Sequence, residues 1–293
     1  MTSMHDQSGP ASDASSDAVN HSWRDRLYQR IAGIGRPVVA GIEYMGGVSL
    51  MLHQTLLWLW RAATISSCRL GRPAIYAQIC RLGVRSIGVI ALVSSCIGLI
   101  LALQMAPPLD DFGQTDKVAN IIAVAILREL GPLISAIVMT GFAGASIAAE
   151  LGTMVVGEEV EALEAHALNP IRFLVVPRVV ATVVAMLVLT VMGEMVAVFS
   201  GYAIGVTLLE IPSGIYISNT LEQLKLSDFL TGMWKAGVFG LILSSIACYN
   251  GLSVTGGAAG VGRATTYTVV HSVVAIIFAD MIFTAIFYRM GWN

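Results

Sequence analysis

The chain has 293 residues, of which 56% are hydrophobic and only 12% are charged. A soluble domain of this length carries about twice that charged fraction. The formal net charge is −2, and no basic patch or nucleic-acid motif is present, which argues against a nucleic-acid partner. The composition therefore predicts an all-α protein that crosses a membrane several times.

The N-terminal part of the chain differs from the rest in its polarity. Residues 1–22 are polar and acidic and lack the basic and apolar blocks of a signal peptide, which predicts a disordered cytoplasmic tail. Nine arginines and only two acids follow between His21 and Arg85, with short apolar runs among them. Residues 23–83 are therefore predicted to form interfacial, amphipathic helices. The alternative is a first membrane span at about 38–60, which Glu43 and His53 weaken.

Five later segments are apolar over the roughly 20 residues that a helix needs to cross a hydrocarbon layer of about 30 Å. Together they predict a five-span domain over residues 84–293. Arginines are concentrated on the N-terminal side of the first span. The positive-inside bias then predicts a cytoplasmic N terminus and a C terminus on the opposite side. The predicted spans are about 84–106, 118–150, 179–209, 229–249 and 265–288.

An acidic segment, GEEVEALEAHALNP, separates the second and third predicted spans. Val156, Val160 and Leu163 recur at helical spacing on one face, and Pro170 ends the pattern. The segment is predicted to be a short amphipathic helix on the cytoplasmic face. A solvated connector is the alternative, but the coherent apolar stripe favours a docking element for a cytoplasmic partner.

Two full charges, Arg128 and Glu129, stand side by side within the apolar run IIAVAILRELGPLISAIVM. Adjacent helical residues do not face each other, so each charge needs its own partner. A charge at membrane depth costs at least about 2.5 kcal/mol and usually faces a cavity, another helix or a substrate. Arg128 is therefore predicted either to pair with an acid, Glu194 or Asp280, or to line a cavity that receives an anionic headgroup.

The glycine-rich loop GGAAGVGRA between the last two spans has the spacing of a phosphate-binding loop. Arg263 and Ala264 occupy the positions that require lysine and a Mg²⁺-binding hydroxyl, and no strand is predicted before the loop. Neither catalytic motifs nor metal-ligand spacing are found among the histidines and the four cysteines. The sequence thus predicts no catalytic residue, metal site or cofactor in this chain, and any energy source would be another chain.

Three blocks carry a family resemblance: LRELGPLISAIVMTGFAGASIAAELGTM, EEVEALEAHALNPIRFLVVPRVVA and GRATTYTVVHSVVAIIFADMIFTAIF. In this order they resemble the MlaE family of ABC-transporter permeases, the membrane subunits of bacterial phospholipid transport systems. The resemblance implies a homodimer in the bacterial inner membrane, with an interfacial helix and five spans per protomer. It also implies glycerophospholipid as the substrate and maintenance of outer-membrane lipid asymmetry as the role.

The resemblance further implies partner proteins. A cytoplasmic ATPase of the MlaF type would bind ATP and Mg²⁺, an MCE protein of the MlaD type would lie outside, and a STAS protein of the MlaB type often accompanies them. The C terminus would then be periplasmic, and lipid would pass between a pocket at the dimer interface and the MCE channel.

Site residues follow from the same resemblance. Arg128 and Glu129 match the charged pair near the family's lipid cavity. Gln104, Leu109 and Phe112 fall near positions at the outer end of the first span that approach the lipid. The family's coupling helix, which docks on the ATPase, corresponds to Glu158, Glu159, Val160, Glu161, Leu163 and Glu164.

Phe142 stands where relatives commonly carry the arginine of a GRxG motif. An ion-coupled secondary transporter could use Glu129, Glu194 and Asp280 as a proton relay, although such proteins often contain internal repeats and none is evident here. A scaffold without transport would bind its partner through the acidic helix and leave that partner's ATPase rate unchanged.

Overall fold

The computed structural model describes residues 13–64 and 72–291, with side chains from residue 35 onward except at positions 37, 63, 72 and 115. This part of the chain is helical and contains no strand. A single 3-10 turn, Thr115–Lys117, joins the second helix to the third. The helices are α1 Asp13–Thr64, α2 Pro73–Asp111, α3 Val118–Val156, α4 Glu159–Ala165, α5 Ile171–Thr207, α6 Ser213–Gln223, α7 Leu226–Leu252 and α8 Gly257–Arg289.

Five of these helices, α2, α3, α5, α7 and α8, are long and apolar enough to cross a membrane. The all-α, five-span fold class predicted from the sequence is therefore confirmed. The helices extend beyond the predicted apolar segments, most of all where α2 begins at Pro73. Backbone hydrogen bonding continues into the arginine-rich flank, whereas a hydropathy pattern reports only the apolar length. At its other end α2 continues through Pro107 and Pro108 to Asp111.

The N-terminal region forms a separate unit, Met1–Leu50, and the remainder of the chain, from Met51 onward, forms another. Helix α1 begins at Asp13, so residues 13–22 of the predicted tail are helical, and residues 1–12 lie outside the described part. Among the described helices α1 is not one that meets the length and hydropathy requirement for a span. The interfacial, amphipathic character predicted for residues 23–83 stays a prediction.

Helix α5 is the central helix of the second unit, and two thirds of its most apolar window is buried. It packs between α2 and α7 through small residues that allow the backbones to approach closely. A Cβ atom added at Gly98 of α2 would overlap the carbonyl oxygen of Ala197 on α5. A Cβ added at Gly232 of α7 would likewise overlap the carbonyl oxygen of Leu127 on α3.

This packing predicts that Gly98→Ala destabilises the bundle. The added methyl group must displace backbone rather than a flexible side chain, so we expect the free energy of unfolding to fall by about 1 to 3 kcal/mol. Thermal unfolding of the detergent-solubilised protein measures the change. Gly88→Ala is the matched control, because a Cβ at Gly88 on the same helix meets nothing within 4 Å. Equal thermal stability of the two variants would contradict the close approach.

Helix α3 contains two π-helical turns, Ile126–Leu130 and Thr140–Gly144. Such turns are frequent at functional sites. The first contains Arg128 and ends two residues before Pro132. Pro132 has no N–H to donate to the carbonyl four residues earlier, that of Arg128, so a widened turn is a natural accommodation. The second turn contains Phe142, whose side chain is exposed.

Candidate functional site

A buried lysine joins three of the membrane-spanning helices. The side chain of Lys235 on α7 is only 1% exposed. Its Nζ donates hydrogen bonds to Glu129 Oε2 on α3, to Asp280 Oδ1 on α8 at 2.9 Å and to Thr284 Oγ1 on α8 at 3.0 Å. An ammonium has three donors, and each one here has an acceptor. We call these four residues the Lys235 cluster.

The Lys235 cluster contains two carboxylates and one ammonium. The carboxylate of Glu129 is the more exposed of the two and lies near the surface of the single chain. The side chain of Glu129 is 36% exposed, while that of Asp280 is 15% exposed. Thr284 Oγ1 lies 3.2 Å from Glu129 Oε1 and fixes the orientation of the carboxylate. A charged group exposed within the spans faces a water-filled cavity or another polar surface rather than lipid chains. The exposure of Glu129 therefore predicts a polar space beside it.

Arg128 points to a different acid. Its Nε lies 3.8 Å from Asp228 Oδ1, and its side chain is 20% exposed. Asp228 is buried near the start of α7, where its Oδ2 also accepts the backbone N–H of Lys225 at 3.2 Å. The ion pair that the structure gives Arg128 thus uses neither of the two acids suggested by the sequence. Of those two, Asp280 binds Lys235 instead.

Of the other predicted lipid-contacting residues, Gln104 and Leu109 lie near the C-terminal end of α2, and Phe112 directly follows that helix. Gln104 and Phe112 are exposed, whereas Leu109 is half-buried and packs on a cluster of apolar residues that includes Ile122 and Tyr216. The hydrogen bonds of Lys235 do not include these three residues. Their contact with lipid stays a prediction.

Lys235 and Asp228 are not among the residues predicted from the sequence, although a signal for the first was available. Lys235 is the only lysine or arginine in α7, and it interrupts the apolar run FLTGMWKAGVFGLIL. The rule that singles out Arg128 and Glu129, that an ionisable residue at membrane depth marks a candidate site, applies equally to it. Its partners could not be inferred, because they lie 45 and 106 positions away in the chain.

At the other end of the bundle, α4 has the predicted amphipathic character. Val160 and Leu163 are half-buried and pack on the apolar core, while the glutamates are exposed. The helix is shorter than the sequence pattern indicated, because Glu158 adopts a left-handed backbone conformation with φ of 57°. Val156 consequently belongs to α3 and is exposed. The exposed glutamates are Glu158, Glu159, Glu161 and Glu164.

An ion-pair triad lies on the spans next to α4. Glu150 of α3 contacts Arg81 of α2 and Arg178 of α5, each with a nitrogen to oxygen distance of 3.1 Å. Arg178 is buried and also donates through Nη1 to the carbonyl oxygen of Leu174 at 2.7 Å. The triad links α2, α3 and α5.

Comparisons with known proteins agree on one family. The model of the permease MlaE family matches residues 75–286. A probable ABC transporter permease protein of Rickettsia conorii is 37% identical over 269 residues, which cover 90% of this chain and 100% of that protein. The intermembrane phospholipid transport system permease protein MlaE of Haemophilus influenzae is 32% identical over 262 residues, covering 89% and 98%. The protein TRIGALACTOSYLDIACYLGLYCEROL 1, chloroplastic, of Arabidopsis thaliana is 36% identical over 212 residues, covering 72% and 61%.

Proposed function

The chain belongs to the MlaE permease family, and from this premise we propose that it moves glycerophospholipid as the membrane subunit of an ABC transporter. In this proposal the protein is a homodimer in the bacterial inner membrane, with the N terminus cytoplasmic and the C terminus periplasmic. An ATPase of the MlaF type binds ATP and Mg²⁺, an MCE protein of the MlaD type exchanges the lipid, and an MlaB-type STAS protein completes the assembly. The role is the maintenance of outer-membrane lipid asymmetry.

The observation that carries the choice of substrate is the set of charges at membrane depth. Arg128 and Glu129 follow each other in one widened turn of α3 and are both partly exposed. Each is held by a buried partner, Asp228 or Lys235. A phospholipid headgroup carries a phosphate that a guanidinium can bind and, in zwitterionic lipids, an ammonium that a carboxylate can bind. Charges at membrane depth are costly, and a purely apolar substrate would make no favourable electrostatic contact with them.

Helix α4 supplies the link to the energy source in this proposal. Its exposed glutamates form the surface that docks on the ATPase, and Val160 and Leu163 connect that surface to the core of the spans. A displacement of α4 during ATP hydrolysis is then transmitted to α3 and α5, between which α4 lies in the chain. The polar space beside Glu129 changes shape as these helices move.

The proposed function predicts the behaviour of Arg128→Glu. The reversed charge faces Asp228 and repels a lipid phosphate, so we expect phospholipid transfer to vesicles to fall by about tenfold or more while the complex still assembles. The measurement is transfer of a labelled phospholipid by the purified chain with its co-purifying partners, together with mass spectrometry of the bound lipid. Arg289→Glu, at the end of α8, is the control for the change in charge.

Three results would count against the proposal. Loss of assembly in Arg128→Glu would assign Arg128 a structural role. Transfer that continues when no ATPase is present would favour the ion-coupled transporter. Absence of any bound diacyl lipid from the wild-type complex would remove the substrate.

A further inference from the structure

A second feature, separate from the Lys235 cluster, is a groove of about 490 Å³ between α5 and α6. One wall is the face of α5 from residue 191 to 202, and the other is α6 from residue 216 onward together with Leu224, which follows it. Leu127 of α3 and Phe229 of α7 also line it. The volume falls within the roughly 300 to 1,000 Å³ that is usual for small-molecule sites. No residue of the Lys235 cluster lines this groove.

Helix α6 is held against α5 in a defined position. The ring of Tyr216 lies edge-on to that of Tyr202, with 5.5 Å between the centroids. Gly205 leaves the space that this ring occupies, since a Cβ there would collide with it. On another face of α6, Asn219 Nδ2 donates to the carbonyl oxygen of Asp116 at 2.9 Å. Burial raises the pKa of the Tyr216 hydroxyl to about 12, so this wall of the groove stays uncharged.

Glu194 of α5 contributes the one carboxyl group to a mainly apolar lining, whose other polar groups are the hydroxyls of Thr220, Tyr202 and Tyr216. Glu194 is only 3% exposed, and its Oε1 has no hydrogen-bond partner among the described residues. No ion pair is found for it in the same part of the chain. A buried polar atom left without a partner costs about 1 to 3 kcal/mol. Oε1 itself lies against Gly131 of α3, so a ligand in the groove would meet the other atoms of this side chain. An apolar pocket with a few placed polar groups is typical of a site for an amphiphile.

The surroundings identify the class of amphiphile. The wall of α5 belongs to a membrane-spanning helix, and Met195 and Phe199 on the rim are exposed, so the groove opens toward the hydrocarbon of the bilayer. On its other side the groove is lined by Leu127 and Phe229. These residues are adjacent in the chain to Arg128 and Asp228, which form an ion pair. A lipid whose chain lies in the groove can therefore bring its charged headgroup toward this ion pair.

We propose that the groove between α5 and α6 binds one acyl chain of a diacyl phospholipid, with the protonated Glu194 carboxyl donating a hydrogen bond to a glycerol ester oxygen. The proposal rests on the proposed function for the class of lipid alone, and the site is distinct from the polar space beside Glu129. It gives the protein a lateral site in which a lipid from the bilayer waits beside Arg128.

Photolabelling of the full chain tests this site. The protein and its co-purifying partners are placed in nanodiscs that contain a diacyl phospholipid with a diazirine in the middle of one acyl chain. After irradiation, labelled peptides are identified by mass spectrometry. We expect peptides from residues 191–224 to be labelled more strongly than peptides from the exposed face of α8 near residues 274–286. Val198→Trp fills the groove and should reduce the first signal by about tenfold.

The matched control is Val188→Trp, because Val188 is an exposed valine on the same helix outside the groove. It should leave the labelling unchanged. Glu194→Leu and Glu194→Gln form a second pair that does not depend on filling the groove. Retention of phospholipid in detergent should fall in Glu194→Leu and remain near the wild-type level in Glu194→Gln, which keeps a polar side chain.

Labelling spread evenly over the exposed faces of α5 and α8, and insensitive to Val198→Trp, would show annular lipid only and overturn the proposal. A protein segment crosslinked in the groove in place of lipid would also overturn it. Transfer assays separate this result from the proposed function. A wild-type complex that is labelled in the groove but transfers no phospholipid would leave the site in place and remove the transport function, whereas transfer without groove labelling would remove the site alone.

Discussion

Lys235→Met should destabilise the membrane domain more than any other single substitution considered for these helices. Without the ammonium, Glu129 and Asp280 lose the cation that both contact, and two carboxylates remain close together in a partly buried site. Removing one partner of a buried ion pair costs about 3 to 5 kcal/mol. We expect a correspondingly lower thermal unfolding temperature of the purified protein, measured in detergent.

The control for this variant is Lys117→Met, which removes an exposed lysine between α2 and α3. A combined variant, Lys235→Met with Glu129→Gln and Asp280→Asn, should recover a large part of the lost stability, because no uncompensated charge remains. Wild-type stability of the single variant, or no recovery in the triple variant, would mean that the Lys235 cluster does not hold the three helices together.

Reversing the charge of α4 should weaken the association with the proposed ATPase partner. The triple change Glu159→Lys, Glu161→Lys and Glu164→Lys replaces three exposed carboxylates on the proposed docking surface. Like charges brought together at an interface cost several kcal/mol, so we expect the affinity to fall by about a hundredfold or more. Co-purification of the ATPase and its rate of ATP hydrolysis measure the effect.

The fold of the membrane domain should be unaffected by this change, since the apolar side chains of α4 are kept. The control is Glu210→Lys with Glu222→Lys. Both residues are exposed; Glu210 lies in the connection between α5 and α6, and Glu222 lies in α6. Normal recovery of the ATPase with the reversed α4 would place the docking surface elsewhere. If the ATPase is recovered and its rate of ATP hydrolysis is the same with the reversed α4 and with the control variant, the scaffold function is supported.

The parts of this structure that could be predicted from the sequence are those set by local composition. Each of the five spans is an apolar run long enough to cross a bilayer, and such a run has few alternatives to a helix. The half-buried stripe of α4 is equally visible as a periodic pattern. The end of that pattern was wrong at Val156, because periodicity does not report the left-handed backbone of Glu158.

The partners of the intramembrane charges could not be predicted in the same way. The sequence shows that Arg128 and Glu129 cannot neutralise each other, but the choice among several distant acids depends on how α3, α7 and α8 pack. Asp280 was considered for Arg128, and packing places it against Lys235. The identity of the site residues was thus partly accessible from chemistry, whereas their pairing required the tertiary structure.

The short helix α4 is bounded on both sides by residues in the left-handed region, Glu158 with φ of 57° and Ala167 with φ of 56°. For residues with a side chain this region is a narrow well, so neither joint can swing smoothly through intermediate angles. The chain on each side of α4 therefore has a defined backbone geometry. A displacement of α4 would then be passed to α3 and α5, the two spans that its connections join it to.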